Sequence, residues 1–273
     1  MPHYRFETPQ PVELFVEIGK GVVDITATET AQTQVEIAGR DAEQAMVRED
    51  GRTISVVGPR RGGLFGGDSP LDVRVIAPTG TDVIVRTGSA DIDLHGSIGT
   101  AKLRSGSGDV RIGTATGALV VETGSGGIRV DAAREAVRIK SGSGDVVIGE
   151  IDAAASISTG SGDVRVAASN GQTAVKTGSG DLEVGDSTRE VALTTGSGDL
   201  VVDRAHRGRV SAKGASGSVR VGVPAGVPVW TDISTVTGAI RSNLRGAGQP
   251  QDGATHVEIR AKVVTGDIVL TEI

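Results

Sequence analysis

The sequence predicts an all-β chain wound as a single-stranded parallel β-helix, a β-solenoid with 18-residue rungs. Three observations predict it. The hexad Thr87-Gly88-Ser89-Ala90-Asp91-Ile92 recurs as Ser105-Gly106-Ser107-Gly108-Asp109-Val110, and again from Thr123, Ser141, Thr159, Thr177 and Thr195, each a step of 18 residues from the last. Apolar residues around each copy alternate with polar ones in short runs, the period of a strand rather than a helix. Gly is abundant at 41 of 273 residues, while Phe, Trp and Tyr together number five. Without aromatic bulk, which usually carries much of a core's buried area, the core must be many thin layers of small aliphatic side chains.

Each column of the repeat has its own expectation. Val110-Arg111-Ile112, Ile128-Arg129-Val130 and Val164-Arg165-Val166 read as the first strand, apolar in and variable out. A second strand ends at the Thr/Ser column, with Leu103, Val121, Ile139, Ile157, Val175 and Leu193 two residues before it. Its parity, continued, points Leu119, Val121, Thr123 and Ser125 to one side. Gly-Ser-Gly-Asp turns the chain, a use for glycine's tolerance of positive φ. Stacked about 4.8 Å apart, equal positions form ladders, in which Thr and Ser are expected to bond from rung to rung.

The whole chain is read as one solenoid domain, 1–273. Residues 1–86 are irregular first rungs or a cap, with a mobile loop over 58–70; 87–212 are the regular repeats; 213–273 are irregular final rungs with insertions. Strands are expected near Val12–Val16, Gly21–Ile25, Gln34–Ile37 and Thr53–Val57, and Asp41–Val47 is the one weak helix candidate. Residues 222–232, with their prolines and the lone Trp230, are expected to kink the stack.

The order of Gly21-Val22-Val23-Asp24-Ile25, Ala77-Pro78-Thr79-Gly80-Thr81-Asp82, the Thr-Gly-Ser-Gly-Asp-Val rungs and the closing Val263-Val264-Thr265-Gly266-Asp267-Ile268 resembles a bacterial β-strand-repeat family of unknown function, DUF4097-like, labelled "putative adhesin". The likeness runs over nearly the whole chain. It implies a right-handed β-helix and carries over no catalytic residue.

Composition narrows the chemistry. There is no Cys, hence no disulfide framework and no thiolate metal site. A net charge of −6 with interspersed signs argues against nucleic acid as a partner. The densest positive stretch, Arg204, His206, Arg207 and Arg209, reads as a solvated edge. No apolar run nears the roughly 20 residues of a membrane span, and the start lacks an export pattern, so the expectation is a cytoplasmic protein.

Asp91, Asp109, Asp145, Asp163, Asp181 and Asp199 form the sharpest column. Stacked carboxylates repel, which a calcium ladder on Asp109, Asp145, Asp163, Asp181 and Asp199 would relieve. The favoured reading is structural: each Asp accepts backbone N–H groups in its own turn and pairs with Arg111, Arg129 or Arg165. On that reading the metal, cofactor and catalytic sites are none. Seven equivalent serines are a ladder, not a nucleophile with its base. His3, His95, His206 and His256 lack ligand spacing. The glycine turns open no helix, as a phosphate loop must. Outward positions Asp93, Arg111, Arg129, Val147, Arg165, Glu183 and Val201 show no convergent acid pair for a carbohydrate-active enzyme.

The reading left is a non-catalytic scaffold or protein-interaction module, self-associating or holding an unknown protein partner; the alternative is an adhesin-like surface or ligand-binding protein, calcium-stabilised. Leu64, Phe65 and Trp230, aromatic or apolar residues in irregular segments, are the candidate contacts, and the solenoid ends are the other option.

Overall fold

The structure, a computed structural model, describes residues 2–59, 69–244 and 255–273. It is a parallel β-solenoid: strands from successive turns of the chain lie side by side in two sheets. The helix candidate is reduced to one 3-10 turn, Ala42–Gln44. Leu64 and Phe65, and most of the 58–70 loop, lie outside the described residues.

The chain divides into two compact units, Met1–Ile139 and Lys140–Ile273. In the first, one sheet runs His3–Glu7, Gln32–Ala38, Leu71–Pro78, Gly21–Thr28, Asp91–Ile98, Val110–Ala115, Ile128–Ala133. The other runs Met46–Asp50, Thr53–Val57, Glu13–Ile18, Asp82–Thr87, Ala101–Ser105, Leu119–Thr123. The four N-terminal strands expected from sequence are present. Two further strands, His3–Glu7 and Met46–Asp50, are edge strands that pair antiparallel with Gln32–Ala38 and Thr53–Val57. Their side chains alternate too weakly, and carry too many charges, to read as strands in isolation. Gln32–Ala38 also pairs antiparallel with Leu71–Pro78, and beyond these the pairing is parallel; in the regular rungs it keeps step, Ala101 beside Leu119 and Val110 beside Ile128, 18 residues apart. Leu103, Val121, Val110, Ile112, Ile128 and Val130 are buried.

In the second unit every described strand pair is parallel. One sheet runs Val146–Ile151, Val164–Ser169, Leu182–Ser187, Leu200–Ala205, Val219–Val223, Ile268–Glu272, Ile240–Ser242. The other runs Ala155–Thr159, Thr173–Thr177, Val191–Ser197, Gly208–Ser216, Val257–Thr265, Val229–Thr237. The spatial order departs from the chain order at the end. Residues 229–242 form the outermost rung, and the later residues 257–272 are inserted beneath them. The proline segment therefore carries the chain past one rung level, turning at Gly226 with φ +79°, before Pro228 opens the strand Val229–Thr237.

The repeat glycines are explained by stacking rather than by positive φ, which none of Gly106, Gly124, Gly160 or Gly178 adopts. Each donates its N–H to the glycine one rung back, as Gly124 does to Gly106 O at 3.0 Å and Gly178 to Gly160 O at 3.0 Å. A Cβ on Gly126 would stand 2.0 Å from Gly108 O, and on Gly162 2.2 Å from Gly144 O. Only glycine lets the turns approach to strand spacing.

Candidate interaction surface

The conspicuous columns of the repeat lie in the turns. The hydroxyls of Ser105, Thr123, Ser141, Thr159 and Thr177 accept the N–H three residues ahead, at 2.9–3.2 Å. They close their own turn instead of bonding to the next rung, which corrects the expected Thr/Ser ladder. The expected parity also fails at the second serine. Thr123 is buried but Ser125 is exposed, because the strand ends at Thr123 and the glycine turn rotates the residues beyond it.

The aspartates accept backbone N–H groups as expected, but from the following turn rather than their own. Asp91 Oδ1 accepts the N–H of Asp109 at 2.9 Å, and Asp109 Oδ1 that of Gly127 at 3.0 Å. In the second unit Asp145 takes Asp163, Asp163 takes Asp181, Asp181 takes Asp199, and Asp199 takes Ser218, at 2.7–3.0 Å. Each carboxylate thus ties down the turn after its own. A backbone N–H set between stacked carboxylates relieves the repulsion that suggested calcium. Among the described residues no three His, Asp or Glu side chains converge as a metal site.

Arginines complete the outer wall. Arg111 reaches both Asp93 and Asp109 at 3.2 Å, and Arg165 reaches Asp163 at 3.6 Å and Glu183 at 3.3 Å. Arg129 turns to Asp131 at 3.5 Å, since Gly127 interrupts the Asp column beside it. Asp186 receives a two-pronged contact from Arg204, both bonds 2.7 Å, and His206 at 3.0 Å. The Arg204 hydrogen bonds, then the His206 bond, hold that carboxyl well below the usual range. Burial pushes the Glu258 carboxyl up, but the bonds from Arg209 and Arg260 outweigh it and leave it below its ordinary value. Of the basic stretch seen in sequence, Arg204, His206 and Arg209 are thus paired with acids from neighbouring rungs, and Arg207 donates to Thr188 O at 3.1 Å. His3 lies 3.1 Å from Glu36 and His95 3.9 Å from Asp24, so the histidines are spread over separate sites.

The edges differ from the walls. At the first unit's edges stand His3, Arg5 and Glu7 on one strand and Arg48, Glu49 and Asp50 on the other, all exposed. At the second unit's edge stands Val229–Thr237, nine residues with Asp232 as the lone charge. Trp230 projects outward with 45% exposure, its ring 5.4 Å from the Arg260 guanidinium carbon. Val236 is 81% exposed, with Val264 beside it at 53%. Ile240, in register with buried Ile268, is 48% exposed, and among the described residues no strand pairs on its outer side. Sequence reasoning found Trp230 as an isolated aromatic. It missed Val236, Val264 and Ile240, whose exposure results from the inverted order of the last two rungs. A shallow groove of about 250 Å³ lies on the same sheet, lined by Arg209, Lys213, Asp232, Arg260 and Lys262 among others.

A family model described as Toastrack DUF4097 matches residues 12–271. The chain belongs to this family. No curated protein matches it. Among solved structures, a "putative adhesin" from Bacteroides fragilis is 11% identical, covers 98% of this chain and 96% of its own, and has a TM-score of 0.45. A "putative lipid binding protein" from Parabacteroides distasonis is 12% identical over 100% and 96%, with a TM-score of 0.39. A "putative adhesin" from Parabacteroides merdae is 11% identical over 99% and 96%, with a TM-score of 0.38. The Toastrack match spans the regular rungs and the outermost edge alike. Among the described residues no helix is long and apolar enough to cross a membrane.

Proposed function

We propose that this Toastrack chain is a non-catalytic interaction module of the cytoplasm, and that its docking surface is the outermost rung, Val229–Ser242. One observation carries the reading. The edge strand Val229–Thr237 is long, parallel to its neighbour, rich in β-branched residues and nearly uncharged, with Trp230 and Val236 exposed on it. Such an edge is a template for another strand, and proteins usually blunt it. The first unit's edges are blunted with charges; this one is not. The walls offer less where Arg111, Arg165 and Arg204 are engaged with Asp93, Glu183 and Asp186, and Asp163 with a backbone N–H.

The test is native mass spectrometry of the untagged protein purified from its own host, before and after EDTA, alongside Val236→Asp. The expected result is a defined complex, with itself or another protein, that survives EDTA and is lost in the variant. A bare monomer that sheds several calcium ions would overturn the reading and make the Asp column a cation ladder. A complex indifferent to Val236→Asp would place the docking surface elsewhere.

A further inference from the structure

We infer that the occupant of this edge is a second copy of the chain, docked through the same strand about a two-fold axis at Ile233; this rests on the edge being the docking surface. Pro228 O accepts the Val257 N–H at 2.9 Å. Alternation along a strand then turns the N–H and C=O groups of Thr231, Ile233 and Thr235 away from the neighbour, toward the open side. A two-fold at Ile233 sets Ile233 opposite itself and Thr231 opposite the second copy's Thr235, all as hydrogen-bonded pairs. The side chains between them then match. Trp230 stands opposite Val236 twice over, covering the two most exposed large apolar groups of the strand. Asp232, already 3.4 Å from Lys262, faces Ser234 rather than another carboxylate.

Neighbouring registers fail. A centre at Thr231 sets Trp230 against Asp232, and a centre at Asp232 sets that carboxylate against itself. The first unit's edges are also poor mates, since they present His3, Arg5 and Glu7 or Arg48, Glu49 and Asp50. Closed, isologous pairing is the commonest form of homo-oligomer. Here it lays the inward residues Thr231, Ile233 and Thr235 of each copy over those of the other, covering both exposed core ends.

The chain has no cysteine, so an introduced thiol is unique. In Ile233→Cys the two Cα atoms fall about 5.5 Å apart, within disulfide reach. Oxidised glutathione takes two electrons and two protons from the two thiols, giving one bond between copies and two reduced glutathiones. The expected result is a wild-type dimer by light scattering, efficient cross-linking of Ile233→Cys, and little of Val264→Cys on the adjacent strand. Should Ile233→Cys fold poorly, mixing Trp230→Cys with Val236→Cys gives a cross-link between the two variants that neither forms with itself. A dimer that cross-links equally at 264 and 233, or resists Val236→Asp, overturns the inference. A chain monomeric alone that binds another protein through this edge also overturns the two-fold, but leaves the interaction module standing. Binding to nothing removes both.

Discussion

The turns at Thr177 and Thr195 share one motif, Thr-Gly-Ser-Gly-Asp, yet they close differently. At Thr177 the buried hydroxyl accepts the Gly180 N–H at 2.9 Å. At Thr195 the equivalent N–H of Gly198 goes instead to Ser216 O at 3.0 Å, and the Thr195 hydroxyl is buried without a partner. The next rung explains the change. Thr177 pairs with Thr195 at an 18-residue step, whereas Thr195 pairs with Gly214 at 19. One extra residue shifts the corner, and the carbonyl of the longer strand takes the donor. A repeat motif thus fixes its own hydrogen bonds only while its neighbours keep step, which is why stability in such folds is shared between adjacent rungs.

The largest way to test that difference is at the glycines. Gly162→Ala drives a Cβ to within 2.2 Å of Gly144 O, and about 3 kcal/mol or more of stability should be lost. Gly226→Ala, which meets nothing within 4 Å but sits at φ +79°, should cost only about 1–2 kcal/mol. Urea unfolding of the two variants compares them, and equal losses would mean that rung stacking is not what selects the repeat glycines. Next, Thr177→Val should cost about 1–3 kcal/mol by stranding the Gly180 N–H, while Thr195→Val should be neutral or stabilising. A loss at Thr195 matching that at Thr177 would refute the broken closure.

The smallest effect is electrostatic. Glu258, 16% exposed between Arg209 and Arg260, should give up about 1 kcal/mol at neutral pH when changed to Gln. Glu183, 53% exposed, should give up almost nothing. Because the folded Glu258 carboxyl lies below its ordinary value, the unfolded chain binds more protons in the window between the two. Its contribution is therefore full above about pH 4.3 and fades as pH falls through that window. Thermal melts of both variants from pH 7 to pH 3 check this, and a Glu258→Gln penalty that persists in acid would contradict it.

The solenoid and its inward columns were legible in the sequence because a strict period leaves one register, and Leu103, Val121, Ile157 and Val175 are all buried as read. The partners of the polar columns were not. Spacing puts Asp109 near both its own turn and the next, and only the twist of Gly106-Ser107-Gly108 decides that the carboxylate reaches forward to Gly127. The candidate surface was legible as a single residue, Trp230. Its companions depend on a pairing that sequence order conceals, since Val236 stands outermost only because residues 257–272 slip beneath it.

That inversion bears on the order in which the rungs can close as the chain is made. Asp163 leaves the ribosome 18 residues before the N–H it will receive from Asp181, so at each regular turn the acceptor is waiting when its donor arrives. At the outermost rung the sequence runs backwards: the Ala239 N–H is donated to Asp267 and the Thr235 hydroxyl to Gly266 O, groups synthesised 28 and 31 residues later. Residues 229–242 must therefore stay undocked until residues 257–272 have emerged. The edge strand is laid down only after the rung that follows it in sequence.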